Sequence, residues 1–136
     1  VFQESALVDR FHGFLRGWDI PRMREDMKAN GWGLNVEYLS EMLHELRDDL
    51  RYRALVDERL FIPRGSDTRD TEAIKRLTVG WLKLLFPQSI GAQVLDRDDL
   101  ERYCLEPARK MRGDIRRQLS VMDSEYPEEL PDIRCT

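Results

Sequence analysis

A chain of 136 residues, 41% hydrophobic and 35% charged, has the size and composition of one folded domain rather than a disordered tract. Its net charge of −4 is not the electrostatic footprint of a nucleic-acid binder, and no apolar run approaches the roughly 20 residues of a membrane span. No secretory signal is visible, and two distant cysteines, Cys104 and Cys135, make no disulfide framework, so a reducing, cytoplasmic setting is expected.

Residues 3–13 read as a short helix with Ala6, Leu7 and Phe11 on its apolar side, closed by Gly13. Residues 14–22 are too short and too interrupted for a helix; Trp18, Ile20 and Pro21 predict a short extended segment. One or two helical turns fit before Asn30-Gly31, and Gly31-Trp32-Gly33 is a turn with an aromatic anchor. Asn35 is then a helix N-cap, with Val36, Leu39, Leu43, Leu46 and Leu50 recurring at three or four. That helix runs on, or breaks and resumes, as far as Phe61, and Pro63-Arg64-Gly65 closes it.

The strongest element lies between Ser66 and Pro87. Asp67 or Thr68 caps it, Asp70 and Glu72 favour the positive end of its dipole, and Ile74, Leu77, Trp81 and Leu84/Leu85 share one face. Arg69 breaks this logic, since a cation at a helix N-terminus is disfavoured by up to roughly 1 kcal/mol. Either Arg69 is solvated or paired with Asp67 or Asp70, or it helps to build an anion site.

Gln88–Asp96 is a loop. The last long helix carries Leu100, Tyr103/Cys104, Ala108, Met111, Ile115, Leu119 and Met122 on its apolar stripe. Pro107 inside it costs about 3 kcal/mol in a regular helix, which predicts two segments, 98–105 and 107–122, with Pro107 opening the second. Residues 123–136 read as an acidic tail or linker. A start at Val1 without Met and this acidic, proline-bearing end suggest a piece of a longer protein.

No complete active site emerges from these residues. His12 and His44 stand on different elements without the spacing of a zinc site, so no metal ligand is assigned. No nucleophile elbow, His-Glu-x-x-His or phosphate-loop pattern occurs. Asp48/Asp49 and Asp98/Asp99 are adjacent pairs that diverge on a helix.

Two segments nevertheless resemble parts of the MCM-like AAA+ ATPases. In Asp9-Arg10-Phe11-His12 a helix ends in a motif similar to the serine-arginine-phenylalanine-aspartate of that group. Thr68-Arg69-Asp70-Thr71-Glu72 is similar to the start of its lid helix, although the Thr-to-Arg spacing is one shorter and Thr71 stands where the pattern has Leu. Over nearly the whole chain, DRFHGF, GWDIPRM, NGWGLNVEYL and DTRDTEAIKRL with LKLLFP resemble, in order, the Lon-related AAA+ family of bacterial BREX phage-defence systems.

That resemblance implies a mainly α fold: four to five helices in an AAA+ lid-type bundle, with at most one short strand left from the parent sheet. It implies the end of the ATPase core in residues 1–22, the lid in 23–122 and the tail in 123–136, with Walker motifs before Val1 and a Lon-like domain after Thr136. Arg10 would be an arginine finger, with Arg16 and Arg22 as rivals, and Arg69 the sensor 2 arginine. The parent protein would use ATP and Mg²⁺, with neither expected bound to this chain alone. It would form a homo-oligomeric ring and act on DNA, not on membranes. The alternatives are a helical interaction or assembly module without a nucleotide role, and a regulatory part of an ATP-dependent protease.

Overall fold

The capping and periodicity around Ser66 to Pro87 produce the central helix of the protein. In the computed structural model, which describes residues 4–91 and 95–136, α4 spans Thr68–Leu85. The Asp67 carboxylate accepts from the backbone N–H of Arg69 at 2.8 Å and of Asp70 at 3.0 Å, so two of the four orphan donors are satisfied by one cap. The protein is mainly α, and its residues sort into two units: one formed by the chain up to Phe14 together with Leu50–Thr136, the other by Leu15–Asp49.

In the larger unit, α1 is Ser5–Val8, α3 is Arg51–Arg59, α5 is Arg97–Leu100 and α6 is Glu106–Met122. A π turn, Glu101–Leu105, joins α5 to α6. The break expected at Pro107 is therefore made by a widened turn just ahead of the proline. This relieves the clash of its ring with the preceding turn and lets the rod continue. α4 packs on α3, on the π turn and on α6. The core is Tyr52 and Val56 from α3, Ile74 and Leu82 from α4, and Leu100, Cys104, Leu105, Ala108, Ile115 and Leu119 from the α5–α6 rod. The buried face of α4 is Asp70, Ala73, Ile74, Thr78 and Leu82. Of the expected stripe, Leu77 and Trp81 are half-buried and Leu84 and Leu85 exposed, so the face is rotated towards Asp70.

The first helix is shorter than its sequence predicts. It ends at Val8, and Gly13 serves a different purpose from a helix cap. A Cβ on Gly13 would stand 2.6 Å from the Cβ of Met111, so glycine is required for close approach to α6. Val8 packs with Ile115 and Leu119, flanked by Met122 and Tyr126. Gln3 and residues 92–94 of the expected Gln88–Asp96 loop lie outside the described residues.

The final residues return to the body. β1 (Leu60–Phe61) and β2 (Arg134–Cys135) pair antiparallel, with Leu60 opposite Cys135 and Phe61 opposite Arg134. Ile133 is fully buried, and the Cys135 N–H donates to Glu101 Oε2 at 2.7 Å. Alternation of Ile133, Arg134 and Cys135 across one short strand is too brief a pattern to distinguish from a tail.

In the smaller unit the segment expected to be extended is a 3₁₀ turn, Gly17–Asp19, followed by another at Glu25–Met27. The short strand of this fold is thus the β1–β2 pair. α2 spans Val36–Arg47, capped as expected by Asn35, whose side-chain oxygen accepts from Glu37 N and Tyr38 N at 2.9 and 3.2 Å. It stops before Asp48-Asp49, and the helical pattern resumes in α3. No side chain of α2 is fully buried. No described helix is long and apolar enough to cross a membrane.

Candidate functional site

The expected stripe of α6 is interrupted by two arginines four residues apart, Arg112 and Arg116, and both point into the core. Burial of a guanidinium is tolerable only if its donors meet carboxylates or carbonyls. Arg112 is fully buried and uses its fork on two separate stretches of the chain. Its Nε donates to Asp70 Oδ1 at 2.7 Å, and its Nη2 donates to Asp9 Oδ1 at 2.5 Å. Its Nη1 donates to the carbonyls of Asp9 at 3.0 Å and Phe11 at 2.7 Å. Arg116 Nε donates to the second Asp70 oxygen at 2.7 Å, and its guanidinium lies over the Tyr126 ring. Two buried carboxylates thus balance two buried guanidinia.

Arg69 joins the same cluster from outside. Its Nη1 donates to Asp9 Oδ2 at 2.5 Å, while its side chain remains 52% exposed. The puzzling cation at the α4 N-terminus therefore has an anion beside it. That anion is Asp9, sixty residues earlier, whereas Asp67 and Asp70 are occupied as a cap and as the partner of Arg112 and Arg116. Burial pushes the Asp9 carboxyl up, but hydrogen bonds from Arg69 and Arg112 outweigh it and hold the group below its usual range. The Asp9 hydrogen bond in turn raises the pKa of Arg69.

Arg10 lies between the two carbonyls that Arg112 holds. Its side chain is exposed and, among the described residues, forms no ion pair. The fold therefore brings the segment bearing Arg10 and the helix end bearing Arg69 to one buried cluster. Arg16 and Arg22 belong to the 15–49 unit. His12, half-buried on the Arg10 segment, is held below its usual pKa by burial and by the charges of Arg76 and Arg112. The Cys104 and Cys135 thiols are buried, and their pKa values are pushed up to about 12, mainly by desolvation. They are poor nucleophiles at neutral pH. No group of acidic, histidine and cysteine side chains suited to a metal ion occurs among the described residues. A cleft of about 530 Å³ opens beside Asp70 and Arg116, but Asp67, Glu125 and Glu129 give its lining a sign that repels polyphosphate.

Sequence reasoning singled out Arg69 and Arg10 but missed Asp9, Asp70, Arg112 and Arg116 as one unit. The available signal was a pair of arginines at i and i+4 on an otherwise apolar stripe, matched by an aspartate in register with Ala73 and Ile74 on another helix.

A mainly helical domain with arginines gathered on a buried ionic cluster is the class these features define. Residues 1–132 match the family described as the ATPase domain of Lon-like protease BrxL-like proteins, and the chain belongs to that family. It is 33% identical over 119 residues to the Lon-like protease BrxL of Escherichia coli O9:H4 (strain HS), an alignment covering 88% of this chain and 16% of that protein. It is 30% identical over 114 residues to the Lon-like protease BrxL of Bacillus cereus (strain H3081.97), covering 84% of this chain and 17% of that one. The chain thus spans about one sixth of the length of these curated relatives.

Proposed function

We propose that this domain acts as the nucleotide-sensing and subunit-coupling part of an ATP-driven, Lon-related ring motor that serves phage defence and acts on DNA. Residues 23–122 would form its lid, and residues 1–22 the end of the ATPase core. The observation that carries the reading is the placement of Arg69 and Arg10 on one buried ionic cluster, with Arg69 half exposed and Arg10 exposed.

Arg69 is the sensor 2 residue. Its half-exposed guanidinium stands at the N-terminus of an 18-residue helix and would bring a charged donor to a phosphate oxygen. Arg10 is the arginine finger, delivered to the nucleotide of a neighbouring subunit. Its planar, permanently charged fork would stabilise charge developing on the γ-phosphate oxygens. ATP with Mg²⁺ is the cofactor of the assembled protein, and these two arginines are the groups of this chain that would meet it. With a net charge of −4 on this chain, contacts to a DNA backbone are expected elsewhere in the assembly.

The test uses a full-length protein carrying this domain. Arg69→Ala should lower ATP turnover at least about tenfold while leaving ring assembly intact. Arg10→Ala should lower kcat on the order of 10³-fold with little change in nucleotide affinity, because a finger acts mainly in the transition state. Mixed rings of an Arg10→Ala subunit and a subunit lacking the phosphate-loop lysine should regain partial activity. Normal ATP hydrolysis by both single variants would overturn the reading. It would favour a helical assembly module instead, a second reading supported by the exposed Trp18, Met23 and Trp32 of the 15–49 unit.

A further inference from the structure

We infer that Arg112 is a positioning residue for Arg10, and that it fixes the finger segment to the helix end carrying Arg69. The inference rests on the roles proposed above for those two arginines. It starts from the backbone of residues 9–14, which leaves α1 at Val8 and belongs to no strand. Carbonyls in such a segment have no ladder to satisfy them. Arg112 supplies the missing donors on both sides of residue 10, reaching the carbonyls of Asp9 and Phe11 with a single Nη1. The same guanidinium reaches the Asp9 side chain and, through Nε, the Asp70 carboxylate. Asp70 follows Arg69 directly in α4, and Asp9 holds Arg69 with its other oxygen.

A second, independent constraint acts three residues further on. Gly13 lies so close to α6 that a Cβ would stand 2.6 Å from Met111 Cβ and 3.3 Å from the Met111 carbonyl carbon. Met111 immediately precedes Arg112. The Arg10 segment is thus clasped to α6 by hydrogen bonds at residues 9 and 11 and by shape at residue 13. The side chain of Arg10 extends from a fixed backbone into solvent.

A buried arginine is needed here because of its shape. Its planar fork has five donors, and four acceptors on two separate elements use it simultaneously. Lysine keeps the charge but offers a single nitrogen, which cannot span Asp70 and the two carbonyls. Displacement of the segment by about 1 Å is enough to cost a positioned catalytic group on the order of 10²-fold.

The experiment measures kcat and ATP affinity in a full-length protein carrying this domain. Arg112→Lys should lower kcat on the order of 10²-fold with ATP affinity within about threefold of the parent. Arg10→Ala/Arg112→Lys should be no slower than Arg10→Ala alone, since a positioning residue has nothing left to position. Arg117→Lys changes an exposed arginine of the same helix, paired with Asp114, without touching the buried cluster or residues 9–11, and should keep kcat near the parental value. Gly13→Ala moves the segment off α6 while every ionic partner is retained, and should lower kcat at least about tenfold. It serves even if Arg112→Lys does not fold. A folded Arg112→Lys protein with parental kcat overturns the inference, as does a double variant in which the two losses multiply. Unchanged kcat in Gly13→Ala also overturns it. Parental turnover in Arg10→Ala would instead sink the finger reading on which the inference rests.

Discussion

Removal of the Asp70 carboxylate should be the most destabilising change in the ionic cluster. Asp70 is fully buried and accepts from Arg112 Nε and Arg116 Nε, each at 2.7 Å. In Asp70→Ala, Arg116, 6% exposed, loses its buried carboxylate, and Arg112, 0% exposed, keeps only Asp9, which is already shared with Arg69. One positive charge is left uncompensated out of water. Breaking a buried pair in this way costs about 3–5 kcal/mol, a large part of the roughly 5–15 kcal/mol that holds a domain together. For a chain of this length that corresponds to a fall of roughly 10–20 °C in Tm. Urea titration of the 136-residue chain, followed by far-UV circular dichroism, reads the loss directly. The exposed pair Arg24–Asp26 provides the contrast, because Asp26→Ala should leave the midpoint in place. Asp70→Asn/Arg116→Gln should be less damaging than the sum of its single changes, since it removes charge from both sides. If Asp70→Ala lowers stability by less than about 1 kcal/mol, the cluster is not balanced as described and the reasoning fails.

Gly13→Ala forces its new Cβ against the Met111 backbone and Cβ, and should cost about 1–3 kcal/mol by the same titration. Asp67→Ala removes the carboxylate that accepts from the Arg69 and Asp70 N–H groups, and should cost about 1 kcal/mol and fray the first turn of α4 in amide exchange. Asp9 has a depressed folded-state pKa, so its contribution is complete above the ordinary carboxylate value and is lost as pH falls through the folded one. The parent should therefore lose stability below about pH 4, and the Asp9→Asn curve should be flatter over that range. Cys104 and Cys135, with thiol pKa values near 12, should react with a disulfide reagent at pH 8 only as fast as the protein opens. Immediate labelling of both in the native protein would contradict their burial.

The local features of this protein were legible because they are set by neighbours in sequence. Asn35 and Asp67 cap α2 and α4 because a short side-chain oxygen two residues away is the nearest acceptor for orphan N–H groups. Pro107 demanded an interruption of the last helix, and the π turn supplies it. Arg69 stood out as a cation against a helix dipole, and the anion it called for exists. Which anion it is, and what the apparent irregularities are for, depended on residues far apart in the chain. Asp9, Asp70 and Arg112 meet only because α1, α4 and α6 pack together, and the burial of their charges is affordable only as a set. No window of sequence displays that balance, so two core arginines on α6 read locally as breaks in an apolar stripe. Gly13 likewise passes for a helix stop until α6 is seen against it. The return of Arg134–Cys135 to β1 pairs residues more than seventy apart, which short-range periodicity does not encode. Sequence alone determined the helical class, the caps and the two arginines worth asking about. The tertiary structure decided which charges are buried together, because desolvation makes each of them acceptable only in the presence of the others.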